Sequence, residues 1–317
     1  MKEKVFLIFN TAALGDVLLC NSLCQNIHSN FLNSKVVFIV DKPYEDAAKY
    51  QQGADEVIIF DKTGEHKGFI GIYKFIKNFP YKKAYCSFII YRNERNFLIS
   101  MLLGSKKTVM AKKAYSISVQ LAHTMLLKNL PDTKIKNLPI KYNVPLDILN
   151  GLNADNDDYI VLCSVSKNPE KDMPPETAVS LVQRLNTTPY KVFFTGAGSK
   201  AEKYAEILTE NGCKFKNLVN KTSIKELSGV LKRCKCLISV DTGTMHMGCA
   251  VGCPVVSIFY RKHTVPVWAP NPELYKSIVI FENQTPENIY NQTLELLKNN
   301  ADTQKEKIRE TAGVIYE

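Results

Sequence analysis

No stretch of the 317 residues reaches the roughly 18 consecutive apolar positions that a membrane-spanning helix needs. That excludes a transmembrane helix on sequence grounds. The opening MKEKVFLIFNTAALGD carries charges and then a short apolar run, as a secretory signal does. Here the run breaks at Asn10, meets Asp16 and is followed by no small-x-small cleavage site. It reads as a first core strand, and a cytoplasmic protein is expected. The nine cysteines form no paired framework: the count is odd, and Cys163, Cys236 and Cys249 sit inside apolar runs, as reduced thiols do. Cys234 and Cys236, taken with His246, Cys249 and Cys253, match no common zinc spacing, so no metal is expected. Internal repeats of fixed period and low-complexity segments are also lacking. What remains is an ordinary apolar share of 45%, enough for two domains to bury a core each.

Acidic residues are too few to balance the basic ones, and the net charge is +10. Residues 1–150 hold 21 Lys and Arg against 12 Asp and Glu, and residues 151–317 hold 20 against 19. A basic first half points to an anionic partner: nucleic acid, an anionic membrane surface or a phosphorylated acceptor. The bland alternative is a surface simply filled with lysine.

Short apolar runs alternate with stretches of helical spacing. Lys4–Phe9, Lys35–Val40, Glu56–Phe60 and Ala84–Ile90 read as strands. Helices are expected over Leu14–Ile27, around Pro43–Gln51, over Phe69–Asn78 and over Arg95–Leu103. The polar, turn-rich Leu149–Asp158 reads as a linker and places a boundary between 152 and 153. A second series follows. Its strands are Tyr159–Cys163, Lys191–Thr195, Cys236–Val240 and Pro254–Phe259. Its helices are Glu176–Leu185, Lys200–Asn211, Ile224–Arg233, Thr244–Val251 and Thr285–Lys298, and the charged tail from Asn300 is expected to fray. Such alternation implies doubly wound parallel sheets. Two α/β domains are therefore expected, 1–152 and 153–317, facing each other across a cleft.

Four stretches carry candidate chemistry. In Ser239–Phe259 a strand ends at Val240, and Asp241, Thr242, Gly243 and Thr244 lead into a helix. A glycine for close approach, two hydroxyls and free helix N–H groups make a phosphate seat at the carboxyl end of a parallel strand, or else a plain capped helix. Asp241 would repel a phosphate and is better suited to sugar hydroxyls or capping. In Phe9–Leu23, Asp16 opens a helix, either as a cap or as a general base at the top of the first sheet. In Ser166–Glu176, Lys171 sits in the first loop of the second domain, where ligands of such sheets bind; the alternative is a solvated lysine. In Thr195–Glu206, Gly196 and Gly198 suit close approach to a nucleoside or a simple turn. The third glycine of a dinucleotide fingerprint is lacking.

These four pieces, in this order, resemble the heptosyltransferase family of bacterial lipopolysaccharide synthesis, glycosyltransferase family 9, over nearly the whole chain to about Pro270. The family's D-[ST]-G-x-x-H and G-x-P-V-V-x-[IL]-[FY] signatures appear as Asp241–His246 and Gly252–Phe259. Its x-L-G-D-V-L appears as Leu14-Gly15-Asp16-Val17-Leu18, and its K-x-[WM]-P as Lys171-Asp172-Met173-Pro174. Asn217–Leu227 is similar to a further family segment. The resemblance implies the GT-B fold, two Rossmann-like domains with the nucleotide sugar held mainly by the second. It implies inverting transfer of heptose from an ADP-sugar to a lipopolysaccharide or lipooligosaccharide core or a related glycan, with no metal or other cofactor.

On this resemblance Asp16 is the base and Lys171 contacts the donor's diphosphate and sugar. Thr242, Gly243 and Thr244 form the diphosphate turn, with Asp241 and His246 beside the transferred sugar and phosphates. Ser166, Gly196 and Glu202 complete the expected donor set, Glu202 as an approximate match to an acidic residue near the nucleoside. The loop Cys163-Ser164-Val165-Ser166 replaces the family's Gly-Ala-Ser type seat, Met173 replaces a commoner Trp, and Ser22 a Pro. A basic cluster that includes Arg92, Arg95, Lys112 and Lys113 suits an anionic glycolipid or oligosaccharide acceptor, at the inner face of a membrane. Rival readings are a nucleotide-sugar epimerase, a transferase using another nucleotide sugar, a non-catalytic nucleotide-sugar binder and a nucleic-acid binder. The last lacks any basic motif interleaved with aromatics.

Overall fold

The computed structural model describes residues 3–91, 93–111, 116–151 and 158–313. Contacts divide the chain into two units, Met1–Pro145 with Pro266–Trp268, and Leu146–Val265 with Ala269–Glu317. The boundary expected at 152/153 falls outside the described residues. The helix Leu146–Gly151, which runs into the start of the linker expected over Leu149–Asp158, belongs to the second unit.

Among the described residues, the first unit holds a parallel sheet of β1 (Lys4–Asn10), β2 (Ser34–Val40), β3 (Glu56–Ile59), β4 (Cys86–Ile89) and β5 (Thr108–Met110), in the order β3-β2-β1-β4-β5. β1 sits centrally, with Phe9 level with Ile39 of β2 on one side and Ile89 of β4 on the other. Its VFLIF run is apolar throughout because a central parallel strand is covered on both faces. On one face Leu7, Phe9, Val37, Ile39 and Ile89 form a core with Phe75, Phe79, Ile99 and Leu103, which descend from the helices Gly68–Asn78 and Glu94–Leu102 and the residues just after them.

The second unit holds β6 (Tyr159–Cys163), β7 (Lys191–Phe194), β8 (Lys216–Asn217), β9 (Cys236–Val240), β10 (Val255–Ile258) and β11 (Ser277–Ile280) in a six-stranded sheet of order β11-β10-β9-β6-β7-β8. Helices Pro175–Leu185, Ser199–Glu210 and Pro286–Gly313 cover one face and contribute Leu181, Val182, Ala205, Leu208, Ile289 and Leu296 to its core. In each sheet the winding direction reverses once, between β1 and β4 and between β6 and β9. The carboxyl ends of the strands at such a reversal are where ligands of these folds bind.

Two differences from the sequence reading have physical causes. The helix expected over Leu14–Ile27 is two helices, Leu14–Leu19 and Asn21–Asn30, that meet at Cys20. The amide of Asn10 donates to the Asp16 carbonyl at 2.9 Å, the acceptor a continuous helix would offer to the Cys20 N–H. That N–H bonds to Val17 instead, at 3.3 Å. β5, β8 and β11 carry four residues or fewer each, too short to show periodicity. The last helix continues through the charged tail to Gly313. All nine cysteines are buried free thiols. No helix of the described residues is long and apolar enough to cross a membrane.

Candidate functional site

The switch point of the second sheet gathers the loops after β6 and β9. β9 ends at Val240, and Thr242, in extended conformation, caps the helix Gly243–Val251 by accepting from the Thr244 N–H at 3.2 Å. Ser239 Oγ lies 3.3 Å from Thr242 Oγ1. The helix stops at Gly252, whose φ of 77° a side chain would strain. It packs tightly on the sheet, since a Cβ on Gly248 would lie 2.6 Å from Leu237 Cδ2.

Across the switch point, the loop after β6 is closed by Met173. Its N–H donates to Ser164 O at 2.9 Å, its carbonyl accepts from Tyr204 Oη at 2.7 Å, and its side chain is fully buried in the core. Met173 thus fixes the loop. The short 3-10 turn Pro169–Lys171, capped by Asn168, then presents Lys171. Lys171 Nζ stands 2.7 Å from Asp241 Oδ2, and Asp241 is only 5% exposed. The carboxylate that alone would repel a phosphate is therefore neutralised by the lysine expected to attract one.

Other expected donor residues divide. Ser166 serves its own loop: its Oγ donates to Asn168 O at 2.7 Å, and its N–H donates to Asp172 Oδ1 at 2.6 Å. Gly196 has a packing reason to be glycine, because a Cβ there would lie 2.7 Å from Ala201 Cβ and 3.3 Å from Val165 Cγ2. Gly198 has a conformational one, a φ of 84°. Glu202 is exposed and accepts from Asn220 Nδ2 at 2.7 Å. Asn220 also ties the loop after β8 to that after β7: its Oδ1 accepts from Gly198 N–H at 2.8 Å, and its N–H donates to Gly196 O at 3.1 Å. Sequence reasoning missed Asn220. It missed Arg261 too, which follows β10 and pairs with Glu170 at 3.2 Å in the same row of loops. Asn220 lies within the family-like segment Asn217–Leu227 but was given no role there, and Arg261 stands in no motif.

At the switch point of the first sheet, Asp16 lies in the first turn of its short helix and is 8% exposed. Its Oδ2 accepts from the Ala13 N–H at 3.3 Å, so it does cap the helix. Its Oδ1 accepts from Tyr91 Oη at 2.5 Å. Tyr91 follows β4 in left-handed conformation, φ 60°, an uncommon one for a bulky residue that marks a functional candidate. Asn10 fixes the loop by also accepting from the Ala12 N–H at 3.1 Å. Lys62, after β3, pairs with Asp41 at 2.8 Å and donates to Thr11 O at 2.9 Å. Arg95 lies over the Phe60 ring at 4.8 Å; burial holds its guanidinium below the usual range, with the Asp41 carboxylate opposing. Arg92, Lys112 and Lys113 lie outside the described residues. Tyr91 and Lys62 stand in no motif, and Asn10 lies within the stretch Phe9–Leu23 without a role assigned to it; the positive φ of Tyr91 is a property of the folded backbone alone.

Two buried histidines set a pH dependence. Burial pushes His246 down to about 4, with Asp241 raising it and Lys171 lowering it. Burial pushes His123 down to about 3, opposed by a backbone hydrogen bond. Both imidazoles are neutral at pH 7. Unfolded, each titrates near 6.5. Stability is therefore complete above pH 6.5. It falls as the pH drops toward 4, because the unfolded chain takes up protons that the folded chain refuses. Urea unfolding is expected to show a loss of about 2 kcal/mol per histidine between neutral pH and about pH 4.5. His123→Gln should flatten the slope; an unchanged slope would contradict this account.

Comparison with known proteins agrees with this geometry. The family model described as Glycosyltransferase family 9 (heptosyltransferase) matches residues 92–298. A relative from Campylobacter jejuni subsp. jejuni, lipooligosaccharide heptosyltransferase 2, is 23% identical over 281 residues, 84% of this chain and 82% of the relative. The solved glycosyl transferase family 9 protein of Veillonella parvula superposes with a TM-score of 0.79 at 18% identity, covering 94% of this chain and 98% of its own. The E. coli heptosyltransferase WaaC with ADP superposes at 0.72 and 16% identity, covering 92% and 99%. The two Rossmann-like units are those of the GT-B fold. With a parallel sheet in each unit, the Asp241–His246 and Leu14–Leu18 signatures at the two switch points and a family match over most of its length, this chain belongs to glycosyltransferase family 9, the heptosyltransferases.

Proposed function

We propose that this glycosyltransferase moves a heptose from ADP-heptose to a lipopolysaccharide or lipooligosaccharide core, or a related glycan, with inversion and without a metal ion. The observation that carries the donor half is the Lys171–Asp241 pair beside the Thr242-capped helix at the switch point of the second sheet. Support for the sugar and the acceptor comes from the Campylobacter relative's name and from the ADP in the E. coli relative. The nine buried thiols suit the reducing cytoplasm.

In this reading the first unit binds the acceptor and the second the donor. The acceptor oxygen attacks the anomeric carbon, its proton passes to the Asp16 carboxylate, and the bond from that carbon to the diphosphate oxygen breaks with its electron pair leaving on ADP. Tyr91 orients the carboxylate. Charge growing on the diphosphate meets the free N–H groups at the start of helix Gly243–Val251, the hydroxyls of Thr242 and Thr244, and the Lys171 ammonium. Asp241 holds that ammonium in place and faces the sugar hydroxyls. His246, neutral, offers a hydrogen bond without a charge.

The test is ADP release from ADP-heptose with and without a deacylated core oligosaccharide carrying the acceptor sugar. Acceptor-dependent release, unchanged within about twofold by EDTA, is expected. Loss of activity in EDTA would overturn the metal-free chemistry. Turnover of UDP-sugars with no acceptor required would favour an epimerase.

A further inference from the structure

The net charge of the chain is concentrated in one stretch. Of 41 Lys and Arg and 31 Asp and Glu, eleven and one fall in residues 66–113, which leaves 30 of each elsewhere. The single acid is Glu94. The described part of this stretch includes the helices Gly68–Asn78 and Glu94–Leu102, which lie side by side on one face of the first sheet. Their inner sides are accounted for by Phe75 and Ile99 in the core beneath.

Their outer sides break the pattern of a helix on a water-facing surface, where polar residues belong. Phe69 is 92% exposed, Ile70 75% and Tyr73 65% on the first helix, and Leu98, Met101 and Leu102 are more than half exposed on the second. These are six of the ten large exposed hydrophobic residues among those described. Lys67, Lys74 and Lys77 stand exposed on or beside the first helix, and Lys82, Lys83, Lys106 and Lys107 in the turns that follow the two helices. An apolar patch rimmed mainly by lysine, with Glu65 and Glu94 the acids beside it, marks an interaction surface.

We propose that this two-helix face docks on an anionic phospholipid bilayer. Phe, Tyr, Ile, Leu and Met side chains suit the boundary between headgroups and acyl chains. Lysine stems lie along that boundary with their ammonium groups among the phosphates. Charge argues against a second copy of this chain as the occupant, since two such faces would bring like charges together. The inference goes beyond the transfer reaction: it is read without any nucleotide sugar, so its failure and the failure of the proposed chemistry are separable.

Flotation with vesicles decides it. The full chain is expected to float with vesicles of phosphatidylglycerol and phosphatidylcholine, and about tenfold less with phosphatidylcholine alone or in high salt. Phe69→Ser with Tyr73→Ser, and separately Lys74→Glu with Lys77→Glu, should each weaken binding by about tenfold or more. Both pairs are exposed and outside the transfer site, so thermal midpoint and turnover on a soluble acceptor should stay at wild-type values. A wild-type chain that remains with the soluble fraction overturns the proposal. So do variants that bind as well as wild type, and so does a dimer that the Phe69 and Tyr73 changes dissociate in the absence of vesicle binding.

Discussion

Asp16→Asn is expected to slow transfer by a factor of about a hundred to ten thousand, the range general-base catalysis contributes, while ADP affinity stays within about twofold. The substitution keeps the shape of the side chain and removes its basicity. Fold is largely spared, because one amide oxygen still accepts a hydrogen bond. The two donors at Ala13 and Tyr91 approach different carboxylate oxygens, so one bond is lost at a cost of about 1 kcal/mol. Tyr91→Phe separates orientation from chemistry. It withdraws a donor that favours the ionised carboxylate, so the acidic limb of the kcat/KM profile should move to higher pH, with a smaller loss of rate. Near-normal transfer by Asp16→Asn would remove Asp16 from the mechanism; an unmoved acidic limb in Tyr91→Phe would remove Tyr91.

Lys171→Met is expected to cost both stability and rate. It leaves the Asp241 carboxylate, 5% exposed, without its cation. Breaking a buried pair by removing one partner costs about 3 kcal/mol, because an unpaired charge remains. Lys171 lowers the proton affinity of His246 and Asp241 raises it, so without the lysine the imidazole should titrate above its present value of about 4. An NMR titration of His246 reads this directly, and no upward movement would contradict the arrangement. In the reaction, a lost donor to the developing diphosphate charge should lower kcat by about a hundredfold. Asp241→Asn with Lys171→Met should be more stable than Lys171→Met alone, since the double change leaves no buried charge.

The two sheets were legible in the sequence because buried parallel strands are continuous apolar runs. KVFLIFN, KVVFIV, YIVLC and CLISV each announce themselves, and the helices between them show the spacing of a face laid on a sheet. The edge strands β5, β8 and β11 were not, because two to four residues such as TVM or SIVI carry no period. The break at Cys20 was hidden for another reason. Leu18, Leu19, Leu23 and Ile27 keep one helical phase, and the interruption comes from a side chain on the preceding strand.

Of the candidate site, the sequence by itself determined the strand-turn-helix units: Asp16 at one helix start, Thr242 and Gly243 at another, Lys171 in the loop after β6, and a basic stretch between. These are local facts, set by backbone preference and by which residues can cap a helix. Only the tertiary structure decided which of them meet. Tyr91 reaches Asp16 across 75 positions of sequence because β4 lies beside β1. Lys171 reaches Asp241 because β9 lies beside β6. Strand order places these loops together, and strand order follows from how the helices pack on the sheets, which no short motif encodes. The Asp241 turn thus changes from a lone capped helix start into half of a buried ion pair, since burial, which makes an unpaired carboxylate costly, also makes its distant lysine partner necessary.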